Sequence, residues 1–178
     1  MRAKCQGTYK NVEFSIMAQA IVRTSNYREI VGYELTIRPT NGGPASEVIE
    51  LACDPWERVD LDISIIKAFQ RADAILTPWR PLNLWVNLFP ATLTSTTAMA
   101  SICGAIRRCR HKVVIEITEN EVVADYQKLL KSVLMLKEAG ASVVIDDFGS
   151  GAATIKTLIE LPVDGIKLDL SVFQHAVA

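Results

Sequence analysis

Short apolar runs alternate with amphipathic stretches along this chain. Phe14 to Arg23 reads as a strand, and Asn26 with its neighbours supplies a polar turn. Ile30 to Ile37 reads as a second strand, close enough to the first for an antiparallel hairpin. After the loop Asn41-Gly42-Gly43-Pro44, the residues Val48, Ile49, Leu51 and Ala52 predict a short helix ending before Pro55. Val59, Ile63, Ile66 and Phe69 recur at helical spacing, and Leu82 to Leu88 then reads as a strand. The stretch from Leu93 to Cys109 predicts one helix, and Val113 to Ile117 another strand. Val122, Tyr126, Leu129, Leu130, Val133 and Leu136 form an apolar helical stripe stopped by Gly140. Val143-Val144-Ile145 is a short buried strand, Ile155 to Leu161 a short helix, and Gly165 to Leu168 a last strand.

Strands separated by helical segments imply βαβ units and a parallel sheet covered by helices. An open doubly wound sheet and a closed barrel both satisfy this pattern. No glycine-rich dinucleotide or P-loop fingerprint follows any strand, which counts against a Rossmann-type nucleotide site.

Composition narrows the class. A chain of 178 residues with 49% hydrophobic and 22% charged residues is globular, and its length fits one domain, residues 1–178. Nineteen basic residues balance twenty acidic ones, so no DNA or RNA polymer is expected as partner. Arg107, Arg108, Arg110 and Lys112 form a basic run that reads as a solvated helix end, where cations complement the dipole. Cys5, Cys53, Cys103 and Cys109 match neither zinc-site spacing nor a disulfide framework, so reduced structural thiols are expected. No signal core and no membrane-length apolar run is present, which predicts a cytoplasmic protein without membrane attachment. His111 and His175 read as surface residues.

The placement of the polar residues carries the chemistry. Glu34 lies in the second strand, Asn87 near the end of the third and Glu116 near the end of the fourth. Asp146 and Asp147 close the fifth, and Lys167 and Asp169 the sixth. In a barrel of parallel strands those ends converge on one face, which is the functional face. Clustered carboxylates repel one another unless protons or cations intervene. Oxygen-only donors suit magnesium, manganese or calcium better than zinc or copper. Adjacent aspartates can bridge two metals, as in in-line attack on phosphate esters, and Lys167 could orient water or offset negative charge. The plainer alternative is a structural ion pair between Lys167 and Asp147 or Asp169.

These residues also carry a family resemblance. Gly32-Tyr33-Glu34-Leu35-Thr36-Ile37-Arg38 resembles the G-F-E-A-L-L-R strand that names the EAL family, and Gln19-Ala20-Ile21 resembles its Q-P-I strand. Val86-Asn87-Leu88-Phe89-Pro90 resembles V-N-L-S-P, and Glu116-Ile117-Thr118-Glu119 resembles E-x-T-E. Asp146-Asp147-Phe148-Gly149-Ser150-Gly151 resembles D-D-F-G-T-G, while Leu161-Pro162-Val163-Asp164 and Lys167-Leu168-Asp169 resemble L-P-x-D and K-I-D. No kinase glycine loop or HRD motif accompanies the DFG.

The resemblance implies an α/β, TIM-like (β/α) barrel, here incomplete with about six strands, its first strand antiparallel. It implies a cyclic di-GMP phosphodiesterase yielding pGpG, with Mg²⁺ or Mn²⁺ as cofactor. Residues matching Glu34, Asn87, Glu116 and Asp146 would hold one metal, and Asp146 with Asp147 a second. Lys167 would contact the attacking water and Glu119 would steady the loop after the fifth strand. Arg38 and Gln19 would bind the ligand. Phe89 replaces the usual serine, Pro39 the frequent tryptophan, and Gly151-Ala152-Ala153-Thr154 the usual G-Y-S-S, so the pocket rim is expected to differ. The family continues through two further strand–helix units, with an A-E-G-V-E glutamate and a ligand-binding glutamine that this sequence lacks. A truncated domain with weak or absent hydrolysis is therefore expected, together with a homo-oligomer covering the open side. The alternative is a non-catalytic protein–protein interaction module using the open barrel edge.

Overall fold

The computed structural model describes residues 5–76, 83–118, 126–149 and 160–174. Its strands form one sheet in chain order, β1 (Gln6–Tyr9), β2 (Val12–Arg23), β3 (Asn26–Pro39), β4 (Asn83–Asn87), β5 (Lys112–Thr118), β6 (Ser142–Phe148) and β7 (Gly165–Leu168). β1 and β3 each pair antiparallel with β2, and every later pairing is parallel. The sheet is open, with β1 and β7 at its edges. The antiparallel start and parallel continuation agree with the predicted architecture. There is one strand more than expected. β1 was missed because Gln6–Tyr9 is short and polar; it forms through a two-residue turn at Lys10 and Asn11, whose φ values of 43° and 66° suit a tight hairpin.

The helices are α1 (Ser46–Ile49), α2 (Pro55–Leu76), α3 (Pro90–Thr94), α4 (Thr96–Arg108), α5 (Tyr126–Glu138) and α6 (Leu170–Gln174). Asp54 starts α2: its Oδ1 accepts from the N–H groups of Trp56 and Glu57 at 2.8 and 2.9 Å, with Pro55 in the first turn. The single helix expected from Leu93 to Cys109 is two. Ser95 takes an extended conformation, ends α3 and caps α4 by accepting from Ala98 N–H. The helix expected at Val48–Ala52 is the shorter α1. The helix expected from Ile155 to Leu161 falls mostly outside the described residues, as do Val122, Glu119 and His175.

Alternation along each strand decides which side faces the helices. Val113, Ile115 and Ile117 of β5, with Val143 and Ile145 of β6, pack on Met99 and Ile102 of α4 and on Leu129, Val133 and Leu136 of α5. Each fully buried aliphatic side chain there contributes roughly 1.5–3 kcal/mol. A second cluster, with Phe14, Ile37, Val48 and Leu61, anchors β2 and β3 to α1 and α2. β5 is buried on both faces, as a central parallel strand requires. His111 is also buried, at 6% exposure, and corrects the expected surface histidine. It directly precedes β5, while its charged neighbours Arg110 and Lys112 stay exposed.

Candidate metal and ligand site

Five strands, β3 to β7, bring their polar residues to one mouth. Parallel register sets Asn87 of β4 beside Glu116 of β5, and Thr118 of β5 beside Asp146 of β6. Asn87 Nδ2 donates to Glu116 Oε2 at 2.9 Å. The Lys167 ammonium of β7 stands 2.6 Å from Glu116 Oε1, 3.1 Å from Asp146 Oδ1 and 3.5 Å from Glu34 Oε2. Lys167 therefore pairs with none of the partners that the plainer alternative named. It gathers the predicted metal-binding carboxylates instead.

Local backbone chemistry aims the aspartates. β6 matches Val144 and Ile145 to Gly165 and Ile166, then skips to Phe148 opposite Leu168. Two residues, Asp146 and Asp147, thus face the single residue Lys167, a bulge that re-aims side chains at the strand end. Asp147 absorbs the extra residue at φ 55°, a left-handed conformation that aspartate tolerates better than most residues. Its N–H donates to Asp146 Oδ1 at 2.9 Å, fixing the Asp146 carboxylate toward Lys167.

Glu116 is fully buried. Burial raises its pKa to about 7; the Lys167 ammonium opposes the shift, and the Glu34 and Asp146 charges add to it. Its Oε1 touches the ammonium but meets no donor at a hydrogen-bonding angle. Burial works against the Lys167 charge, yet Glu116 and Asp146 more than compensate, holding its pKa above the ordinary lysine value. Burial and the neighbouring Asp146 and Asp169 raise the Asp147 pKa, against the pull of Lys167. The donor set fits a hard cation: buried and half-buried carboxylates around one positive group, with an amide alongside. As they stand, they are gathered around an ammonium. Among the described residues no three acidic, histidine or cysteine side chains are already arranged to grip a metal ion.

Gln19 lies directly across from Glu34 in the β2–β3 ladder and is exposed, and Arg38 is exposed near the end of β3. Neither contacts the carboxylate cluster through any described interaction. Beside the mouth, a mainly apolar cavity of about 350 Å³ is lined by Leu35, Thr36, Ile65, Asn87, Phe89 and Thr118. Asp62, 1% exposed, closes part of its wall and accepts from Phe89 N–H at 2.9 Å, pinning the turn after Asn87. Sequence reasoning missed Asp62. The available signal was a carboxylate at helical spacing between Val59 and Ile66, on the face that carries the apolar stripe.

An open, barrel-like sheet with acidic residues at its strand ends defines the class: a TIM-like α/β domain with its functional face at the carboxyl ends of the strands. The chain belongs to the EAL domain family, whose model matches residues 2–178. An uncharacterized signaling protein of Caulobacter vibrioides is 30% identical over 178 residues, covering 96% of this chain and 21% of that one. The cyclic di-GMP phosphodiesterase RocR of Pseudomonas aeruginosa is 30% identical over 98 residues, covering 53% of this chain and 25% of that protein. The calcium and cyclic di-GMP complex of BlrP1 from Klebsiella pneumoniae superposes with a TM-score of 0.76 and 25% identity, over 92% of this chain and 42% of that one. The chain thus spans well under two thirds of the length of these relatives.

Proposed function

We propose that this EAL domain binds a divalent ion, Mg²⁺ or Mn²⁺, and cyclic di-GMP at the mouth of β3–β7, with weak hydrolysis to pGpG. The observation that carries the reading is the convergence of Glu34, Glu116 and Asp146 on one positive charge, with Asn87 bonded to Glu116. These four residues would hold one ion, and Asp146 with Asp147 would contribute to a second. A bound ion supplies Lewis-acid polarisation of a phosphoryl oxygen and neutralises charge at the phosphodiester. Lys167 provides a further cation for phosphate oxygens, and Asn87 keeps Glu116 oriented. Gln19 and Arg38 would bind the ligand; the exposure of both, and the position of Gln19 across the ladder from Glu34, support this. Weak hydrolysis is supported by the altered rim. Phe89 stands where the family pattern has serine, and its ring, 5.5 Å from the Arg58 guanidinium, lines the cavity beside the mouth. A cytoplasmic setting suits Cys5, Cys53 and Cys103, none of which forms a disulfide. No described helix is long and apolar enough to cross a membrane.

Calorimetric titration with cyclic di-GMP, with and without manganese, tests this reading. Manganese-dependent binding that Glu116→Gln abolishes is the expected result. Absence of binding in both conditions would sink it.

A second reading, a protein-interaction module using the sheet edge, is favoured by one observation. β7 and α6 expose Ile166, Leu168, Leu170 and Val172, with Leu170 at 69%. A homo-oligomer covering this face belongs to that reading. Light scattering on a size-exclusion column that gives a monomer at micromolar concentration would remove the homo-oligomer.

A further inference from the structure

We propose that the Lys167 ammonium is an internal counter-cation for Glu34, Glu116 and Asp146, and that a divalent ion enters the site by displacing it. The inference rests on the metal-site reading and adds to it a determinant of affinity.

Three carboxylates from three strands lie 2.6, 3.1 and 3.5 Å from a single Nζ. An ammonium offsets part of their negative charge, while Asn87 donates to Glu116 and the Asp147 N–H to Asp146. Glu116 is out of reach of water, and its repulsion with Glu34 and Asp146 is poorly screened. Without an intervening cation the cluster would spread or take up protons. Lys167 therefore holds the metal-free mouth in shape.

A hard divalent ion needs the same oxygens, at roughly 2.0–2.6 Å. It cannot share their centre with an ammonium already 2.6 Å from Glu116 Oε1. The two cations exclude each other. Lys167 can leave, because its side chain is 30% exposed and its four-carbon stem is flexible. A lysine that served only to meet a ligand phosphate would have no reason to sit among all three.

The test is manganese affinity by calorimetry and by electron paramagnetic resonance of free Mn²⁺. The proteins are the wild-type chain, Lys167→Met and Lys167→Gln, alongside metal-free melting curves. Both variants are expected to bind manganese roughly tenfold or more tightly than wild type, and to melt at lower temperature without metal. A variant that folds only once manganese is added gives the same answer. Wild-type binding that neither variant improves, or metal-free melting unchanged in both, overturns the inference while leaving the metal site standing. No manganese binding by any of the three chains removes the metal-site reading and the inference with it.

Discussion

Glu116 and Asp147 show two ways in which single residues are held at some cost. Glu116 sits in a fully buried position that disfavours its charge, relieved by Lys167 on one oxygen and Asn87 on the other. Asp147 takes the left-handed conformation that lets Asp146 turn inward. Alanine has no side-chain acceptor to relieve that conformation, whereas glycine adopts it freely. Asp147→Ala is therefore expected to lower stability by about 1 kcal/mol, and Asp147→Gly to restore most of the loss. Urea denaturation of both variants measures this. Equal stabilities for the two would count against backbone strain at the bulge.

Between elements, close approach and hydrogen bonding set the geometry of the mouth. Gly32 lets β3 lie against β4: a Cβ there would come within 2.7 Å of the Asn83 carbonyl oxygen and 3.0 Å of Trp85 Nε1. The Asn83 side chain also donates to Val31 carbonyl at 2.8 Å. Since the obstacle is backbone, Gly32→Ala is expected to cost roughly 1–3 kcal/mol and to weaken manganese binding, because Glu34 follows two residues later. Chemical denaturation with parallel calorimetry checks both effects. Asp164 ties the segment before β7 to β6 and α5, accepting from Val143 N–H at 2.8 Å and from Lys137 Nζ at 2.6 Å. Burial works against its charge, but those donors hold its pKa below the ordinary 3.8. Such a group contributes stability above its unfolded pKa, and the contribution is lost as pH falls through the lower folded value. Asp164→Asn is expected to flatten this part of the acid limb of the stability profile, below pH 3.8. Melting temperatures between neutral pH and acid, for wild type and variant, decide the point.

At the level of the whole molecule, the mouth joins strands drawn from most of the chain, from β3 to β7. An ion bound only by the folded arrangement must stabilise all of them together. Manganese at a hundredfold excess over its dissociation constant is expected to add about 2.7 kcal/mol, seen as a rise of several degrees in melting temperature and reversed by chelator. An unchanged melting temperature would mean that no site of this kind assembles. The open sheet also leaves β7 and α6 with exposed apolar residues, so the same melting curves should be compared across protein concentration.

The sequence by itself determined the local matters. Apolar alternation placed β2 to β7 and the principal helices, because a half-buried strand or helix writes its own period into the chain. The order of short motifs supplied the donor set, Glu34, Asn87, Glu116, Asp146 and Asp147, and pointed to the family. Tertiary structure alone decided how those parts meet. It broke one expected helix at Ser95, buried His111, and used Asp62 to pin the turn after Asn87. It also set Lys167 among three carboxylates rather than beside Asp147 or Asp169. Glu34 and Lys167 stand near opposite ends of the chain, and no periodicity records a contact between them. The curvature and register of the sheet bring them together, and those arise only when all the strands pack.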